Sequence, residues 1–276
     1  MAQTIDPQMV RARRALLDAF DALGSHSESV ILVGAQAVYL HTGSAEVALA
    51  EFTTDGDLVV DPRHLGDDPL IEEAMTSAGF DHDPVARNPG VWMSADGVQI
   101  DLMVPAAVAG NGRRSVDVPP HSPRSMRKSV GLEAALVDNK AQQISALDPF
   151  DRRVLEVVVA GPAALLVAKL FKLHERISEN RSAENKDAHD IYRILVAIST
   201  HELATSLHRL LDHDLSRQVT ARALEYLDED FAAGPQAAGA HMAGAAEADV
   251  GEPDQVALAA SVLAFDLTEA MKADRP

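Results

Sequence analysis

No cysteine occurs among the 276 residues of this protein. Disulfides, thiolate metal sites and cysteine nucleophiles are therefore excluded, although that absence alone does not fix a redox compartment. Long apolar runs are missing as well. Nothing approaches the ~20 consecutive apolar residues needed to cross a bilayer, and the start MAQTIDPQMVRARRALLDAF lacks the apolar region of a secretory signal. A cytoplasmic protein without membrane association is the expectation. Basic residues are in deficit, 24 Lys and Arg against 42 Asp and Glu, which leaves a formal charge of −18. A surface of that sign repels polyanions at long range, so nucleic-acid contact needs a local basic patch, whereas cationic substrates are drawn in. Several catalytic signatures are absent too. His174-Glu175 and His201-Glu202 each begin an H-E-x-x-H pattern, but Ser178 and Thr205 stand where the second His belongs. There is no Walker lysine motif and no G-x-S-x-G elbow, Gly110-Asn111-Gly112 lacks a third glycine in register, and the scattered histidines show no ligand spacing.

What is present describes a folded core. Apolar residues make up 47% of the sequence at near-zero mean hydropathy, and the length suits one large domain or two small ones. Asp6 followed by Pro7 has the form of an N-cap and first helical position, and Met9, Val10, Leu16, Leu17, Phe20 and Leu23 recur at helical spacing before Gly24. Val30-Ile31-Leu32-Val33 reads as a strand ended by Gly34, with the helix-like AQAVYLHTG behind it. TTDGDLVVD predicts a second strand and IEEAMTSAGF a helix ending at Gly79. VWMSADGVQIDLMVP predicts a hairpin whose Asp96-Gly97 pair suits a two-residue turn with positive φ. Trp92, on one arm, reads as core. From Asn111 to about Lys128 the sequence is polar, rich in Pro and Arg and without periodicity, a long loop of the kind that often carries function. Strand-like pieces return at 134–137 and 154–159.

After Gly161-Pro162 the character changes. AALLVAKLFKLHERI, AENKDAHDIYRILVAI, ELATSLHRLLDHDL and SRQVTARALEYLDEDF are consecutive helical patterns with short joints. The Ala/Gly-biased stretch near 232–254 reads as a flexible linker before a last helix from about Gln255 to Met271. There is no internal repeat. The expected fold class is α+β (mixed α/β): a domain with a small mixed sheet over 1–160, then an all-helical domain over 161–276.

The candidate chemistry is acidic. In Asp55-Gly56-Asp57 two carboxylates lie two residues apart on a predicted strand, so both point to one side and Gly56 to the other. Asp101 sits inside the apolar strand VQIDLMV, where a buried carboxylate needs a partner or a metal. Three such groups brought together are like charges that a cation or proton uptake must stabilise. Oxygen-only ligands select hard ions such as Mg²⁺ or Mn²⁺, and Mg²⁺ combines one or two protein carboxylates with substrate phosphate oxygens. The site so described is a phosphoryl-transfer site. In so acidic a sequence the D-x-D pattern also arises by chance, and Asp-Gly often marks only a turn. The order of apolar strand, Gly34, helix, D-x-D strand and lone Asp101 raises it above that.

Basic candidates flank this centre. Lys169, Lys172 and Arg176 are spaced by three and four on one helix, a cationic stripe suited to a triphosphate, to a nucleic-acid backbone or to ordinary solvated salt bridges. Asp187 and Asp190, three apart on the next helix, could neutralise that stripe or orient Lys169 and a substrate. Thr53 and Thr54 precede the D-x-D, where a hydroxyl could touch phosphate, though threonine leading into a strand needs no such reason. Arg113-Arg114, Arg124, Arg127-Lys128 and Arg152-Arg153 would bind RNA phosphates if the long loop lies beside the carboxylates, and are ordinary loop charges otherwise.

The strings LVGAQAVYLHTG, FTTDGDLVVD, VQIDLMVP, AKLFKLHER and KDAHDIYRIL, covering roughly residues 28–200, resemble the polymerase-β-type nucleotidyltransferase superfamily, and within it the AbiEii and MenT toxin group of type IV toxin–antitoxin systems. That group's pattern is a Gly-Gly or Gly-Ser turn, a D-x-D strand, a third Asp, and a helical domain with a Lys and a K/R-D-x-x-D segment. Two departures stand out. Ala35 replaces the second small residue of the turn, which keeps the backbone approach and removes a hydroxyl contact. Nineteen residues separate Ala35 from Asp55, more than the tightest spacing of the superfamily and similar to this branch.

The resemblance implies a nucleotidyltransferase-like N-terminal domain that moves a nucleoside monophosphate from an NTP and releases pyrophosphate. Asp55 and Asp57 would hold Mg²⁺ or Mn²⁺, and Asp101 would share a metal and take the proton of the attacking hydroxyl. Gly34 and Ala35 would offer backbone N–H groups at a helix N-terminus to the triphosphate. Thr54, Lys172 and Arg176 are further nucleotide-binding candidates. Lys169 corresponds to the helical lysine, and at least one of Asp187 and Asp190 would be catalytic. The implied acceptor is RNA, the tRNA 3′ end, so translation would be blocked and a cognate antitoxin protein would restrain the enzyme. The negative charge keeps open an antibiotic (aminoglycoside-type) nucleotidyltransferase, and a non-catalytic binding module on the same fold is the third reading, because fold never guarantees activity.

Overall fold

The structure, a computed structural model, describes residues 5–43, 45, 47–48, 52–82, 88–110, 116–180 and 185–273. It divides into two compact units, Met1–Ala37 with Phe52–Ala160, and Val38–Glu51 with Gly161–Pro276. The stretch 38–51 thus groups with the second unit rather than with the rest of 1–160.

The first unit opens with α1 (Pro7–Ala22), where Asp6 accepts a hydrogen bond from the Gln8 N–H at 2.6 Å and Pro7 takes the first helical position. A short 3₁₀ stretch, Gly24–Ser29, leads into β1 (Val30–Val33), buried at every residue, and α2 (Gly34–Thr42) follows with no intervening loop. Then come β2 (Asp55–Val60), α3 (Ile71–Ser77), β3 (Asp81–His82), β4 (Val91–Met93), β5 (Gln99–Pro105), β6 (Arg127–Ser129), β7 (Asn139–Ser145) and β8 (Val154–Ala160). Among the described residues these strands form one mixed sheet in the order β3-β4-β5-β2-β1-β8-β7, with β6 on the same edge of β5 as β4. β1 runs antiparallel to β2 and parallel to β8, and β2 runs parallel to β5. Because side chains alternate, Leu58, Val60, Ile100, Leu102 and Val104 share one face, which α1 covers with Leu16 and its neighbours. The opposite face carries the acidic residues.

Three expected elements of the first unit change. The β4–β5 hairpin closes through Ser94 N–H to the Val98 carbonyl at 2.8 Å and Gly97 N–H to the Ser94 carbonyl at 2.9 Å. Three residues therefore make the loop, and of the Asp96-Gly97 pair only Gly97 takes positive φ, +74°. The expected strand at 134–137 is a 3₁₀ turn, Glu133–Leu136, tied down where the Glu133 carboxylate accepts from the Ala107 and Gly131 N–H groups, each at 3.0 Å. Within the expected loop, 127–129 pairs with β5 as β6, whereas Arg113 and Arg114 lie outside the described residues. Trp92 is core, 1% exposed, with its indole N–H donating to the Ser125 carbonyl at 3.0 Å.

The second unit is helical: α4 (Pro162–Ser178), α5 (Lys186–Ala197), α6 (Thr200–Asp212), α7 (Arg217–Leu227) with a π-helical turn at Asp228–Ala232, α8 (Ala238–Ala246) and α9 (Pro253–Ala273). Ala183 and Glu184 of the expected α5 pattern lie outside the described residues. The Ala/Gly-rich stretch is not a linker. It holds α8, packed on α5 and α9. A Cβ at Gly239 would come within 2.5 Å of the Phe231 ring and one at Gly244 within 2.3 Å of the Pro253 carbonyl oxygen. The small residues leave room for close helix approach, a role that composition cannot distinguish from flexibility. His189 on α5 and Glu247 at the end of α8 form a buried pair, Nε2 to Oε1 at 2.8 Å. No helix among the described residues is long and apolar enough to cross a membrane.

Candidate active site

The acidic face is assembled by strand register. β1 and β2 are antiparallel with Val33 opposite Asp57, so the residue after Val33 meets the Asp57 side chain. That residue is Gly34, at φ +70°, and a Cβ there would lie 2.0 Å from Asp57 Oδ2. No other residue type satisfies both the backbone angle and the space. The carboxylate of Asp57 therefore rests against the first turn of α2, where the helix dipole favours negative charge. Ala35 follows, 4% exposed.

Asp55 is held from two sides. The Thr53 hydroxyl donates to its Oδ1 at 2.5 Å, and the Gln36 side-chain amide donates to its backbone carbonyl at 3.0 Å. Gln36 is itself held by Arg13 of α1, whose Nε donates to Gln36 Oε1 at 2.8 Å while another guanidinium nitrogen donates to the Ser145 carbonyl at 3.0 Å. Gly56, between the two aspartates, is a strand residue rather than a turn. A Cβ there would approach Ile100 Cδ1 to 2.7 Å and Leu16 Cδ1 to 3.2 Å, so glycine is the residue that lets α1 and β5 close on that face. Thr54 is exposed.

The parallel register of β2 and β5 sets Asp57 beside Asp101 and Asp55 beside Gln99. Paired residues share a face, so three carboxylates and one amide occupy neighbouring positions. Asp101 is 8% exposed and has both oxygens engaged: Gln99 Nε2 donates to Oδ1 at 2.8 Å and an Arg127 guanidinium nitrogen donates to Oδ2 at 2.8 Å. The donor set, carboxylate oxygens only, fits a hard divalent cation. Among the described residues no three acidic or histidine groups converge as a cation cage.

The second unit brings together Lys169, Asp187, Asp190 and Arg176. The Lys169 ammonium donates to Asp187 Oδ1 at 2.7 Å and to Asp190 Oδ2 at 2.6 Å, and Arg176 reaches Asp187 Oδ2 at 3.0 Å. Burial alone would lower the Lys169 pKa, yet the two carboxylates outweigh it and hold the lysine well above its usual range. Burial likewise would raise Asp187, but Lys169, Lys172 and Arg176 hold it well below the usual carboxylate range. The stripe thus turns two of its members toward α5, and Lys172 is exposed.

The other basic residues divide. Arg127 reaches Asp101. Arg153 binds Asp151, Asp18 and Asp21, a surface anchor, and Lys128 donates to the Gly110 carbonyl at 2.9 Å. Arg124 and Arg152 are exposed. Sequence reasoning missed Arg13, Gln36 and Gln99. Gln99 had a usable signal, since it stands two residues before Asp101 on the same strand face. Arg13 and Gln36 had none, because their partners lie far away in the sequence.

Residues 11–215, which carry all of these groups, match the model of a family described as Nucleotidyltransferase. No curated protein and no solved structure gives a match.

Proposed function

The chain belongs to this nucleotidyltransferase family, and on that premise we propose that it is a divalent-metal-dependent enzyme that moves a nucleoside monophosphate from an NTP to an RNA 3′ end. The observation that carries the reading is the Asp57–Asp101 register with Asp55 on the same face and Gly34 at its edge. Asp55, Asp57 and Asp101 would hold Mg²⁺ or Mn²⁺, which when bound supplies charge neutralisation for the triphosphate and for in-line attack. Asp101 accepts the proton of the attacking hydroxyl. The N–H groups of Gly34 and Ala35 bind phosphate oxygens at the start of α2, and Thr54 lies beside the carboxylates in sequence.

The toxin reading extends this. The helical Lys169 with Lys186-Asp187 and Asp190 is the feature that resembles the AbiEii and MenT group, and it supports tRNA as acceptor, blocked translation and a cognate antitoxin. In that reading Lys169 is oriented by Asp187 and Asp190, and Lys172 and Arg176 supply further positive charge for the nucleotide. The −18 charge favours a second acceptor class, a cationic antibiotic of aminoglycoside type.

The test is incubation of the full-length protein with each α-labelled NTP, Mg²⁺ and either total RNA or an aminoglycoside panel. Label on RNA, lost in Asp57→Ala and Asp101→Ala at unchanged melting temperature, is the expected result. Label on the aminoglycoside alone moves the acceptor assignment to the antibiotic. Pyrophosphate release that survives in either variant removes the carboxylates from the mechanism.

A further inference from the structure

Asp101 is the buried member of the acidic face, and a carboxylate out of water must be compensated. Among the described residues its counter-charge is a single arginine. β6 enters the sheet on the edge of β5, with Arg127 opposite Met103. Met103 lies two residues beyond Asp101, on the same face of β5. The Arg127 side chain thus starts on the face that carries the three carboxylates and reaches back one step along it to Asp101 Oδ2 at 2.8 Å.

Two features make this bond exchangeable. Only one guanidinium nitrogen is engaged on Asp101, whereas Arg63 grips Asp61 through Nε at 2.9 Å and a terminal nitrogen at 2.7 Å. A one-pronged pair lacks the geometric advantage of the fork. The two partners also differ in their access to water: the Arg127 side chain is 33% exposed and that of Asp101 12%. The guanidinium can swing into solvent at little desolvation cost, whereas the carboxylate cannot follow it.

We propose that Arg127 is a built-in competitor of the divalent metal for Asp101, occupying the carboxylate when the metal is absent and released to a triphosphate oxygen when it binds. The inference rests on the reading of Asp101 as a metal ligand. Asp55 and Asp57 stand on the adjacent strand on the same face, and with Gln99 on Oδ1 and Arg127 on Oδ2 a cation shared with Asp101 meets a like charge, the guanidinium, already bound to its carboxylate. Once displaced, the planar guanidinium matches a phosphate group and meets one with the charge it has just withdrawn from the carboxylate. Gln99, which donates to Oδ1 at 2.8 Å, is the uncharged partner that keeps the carboxylate aimed. Metal entry, Arg127 release and triphosphate capture become linked, so an enzyme without nucleotide binds metal weakly.

The experiment measures Mn²⁺ binding to the full-length protein by the electron paramagnetic resonance signal of free Mn²⁺, with and without a non-hydrolysable triphosphate analogue. Arg127→Ala and the polar variant Arg127→Gln should bind Mn²⁺ about two- to fivefold more tightly than wild type without nucleotide, the range of a partly exposed ion pair. Both should also lose most of the tightening that the analogue brings to wild type. Arg127→Lys should fall between them and wild type. Equal or weaker Mn²⁺ binding by Arg127→Ala and Arg127→Gln, with a wild-type site that Asp101→Asn removes, overturns the competition and leaves the metal reading standing. Absence of any Mn²⁺ site in wild type, with or without the analogue, overturns both.

Discussion

Replacing Lys169 with methionine tests the buried ion cluster most directly. Lys169 is 5% exposed, and the side chains of Asp187 and Asp190 that it joins are 3% and 1% exposed. Methionine fills much of the same volume but leaves two carboxylates facing one another, with Arg176 still 3.0 Å from Asp187. Removing one partner of a buried pair costs about 3–5 kcal/mol, and the two bonds are not additive because they share one ammonium. At about 4 °C per kcal/mol for a unit of this size, the helical transition should fall by about 12–20 °C. The triple variant Lys169→Met, Asp187→Asn, Asp190→Asn removes the stranded charges and should recover most of the loss.

The sign of the pH dependence follows from the same cluster. Asp187 is held below its unfolded value, so its contribution is full above about pH 4 and is lost as pH falls through the depressed pKa. Lys169 is held above its unfolded value, so its contribution is full below about pH 10 and is lost as pH rises through the raised pKa. Between those limits the wild-type cluster's contribution should be independent of pH, whereas in Lys169→Met the stranded carboxylates take up a proton as pH falls, so the penalty should be smaller at pH 5 than at pH 7 and 9. Thermal melts by circular dichroism at pH 5, 7 and 9 provide the measurement. A loss under about 1 kcal/mol, or a triple variant no more stable than the single one, would show that the cluster does not hold the helices together. Activity of any Lys169 variant has to be read well below its own melting temperature, since lost turnover otherwise reports unfolding.

Gly34→Ala combines a left-handed backbone angle with a Cβ placed 2.0 Å from Asp57 Oδ2. Stability should drop by about 1–3 kcal/mol and pyrophosphate release by about 100-fold as Asp57 is pushed aside, and wild-type turnover in this variant would contradict the packing described. His189 is kept below its ordinary pKa, chiefly by burial and against the opposing pull of Glu247. Its contribution is present above about pH 6.5 and is lost as pH falls toward the folded value, because unfolding lets the ring charge. Urea midpoints should decline across that interval in wild type and decline less in His189→Gln; identical profiles would remove His189 as the cause.

Local chemistry was legible in the sequence wherever near neighbours set the outcome. The Asp6-Pro7 start of α1, the β1–Gly34–α2 junction, the D-x-D strand and the helical run from Pro162 follow from capping, periodicity and backbone angles that a few adjacent residues determine. The hairpin loop went one residue astray because Asp-Gly suits two turn types that differ only in where the strands close. The Ala/Gly stretch misled because smallness serves flexibility and close packing equally, and only Phe231 and Pro253, brought against α8, distinguish the two.

That Asp55 and Asp57 share a side could be read without coordinates, since alternation along one strand is a local rule. Which strand lies beside β2, and in what register, could not, and it is this pairing that stands Asp101 next to Asp57 and Gln99 next to Asp55. The meeting of Arg127 with Asp101 and the claim of two aspartates on Lys169 belong to the folded state in the same way. Pairing between distant segments depends on how whole faces pack, and residue spacing carries no record of that.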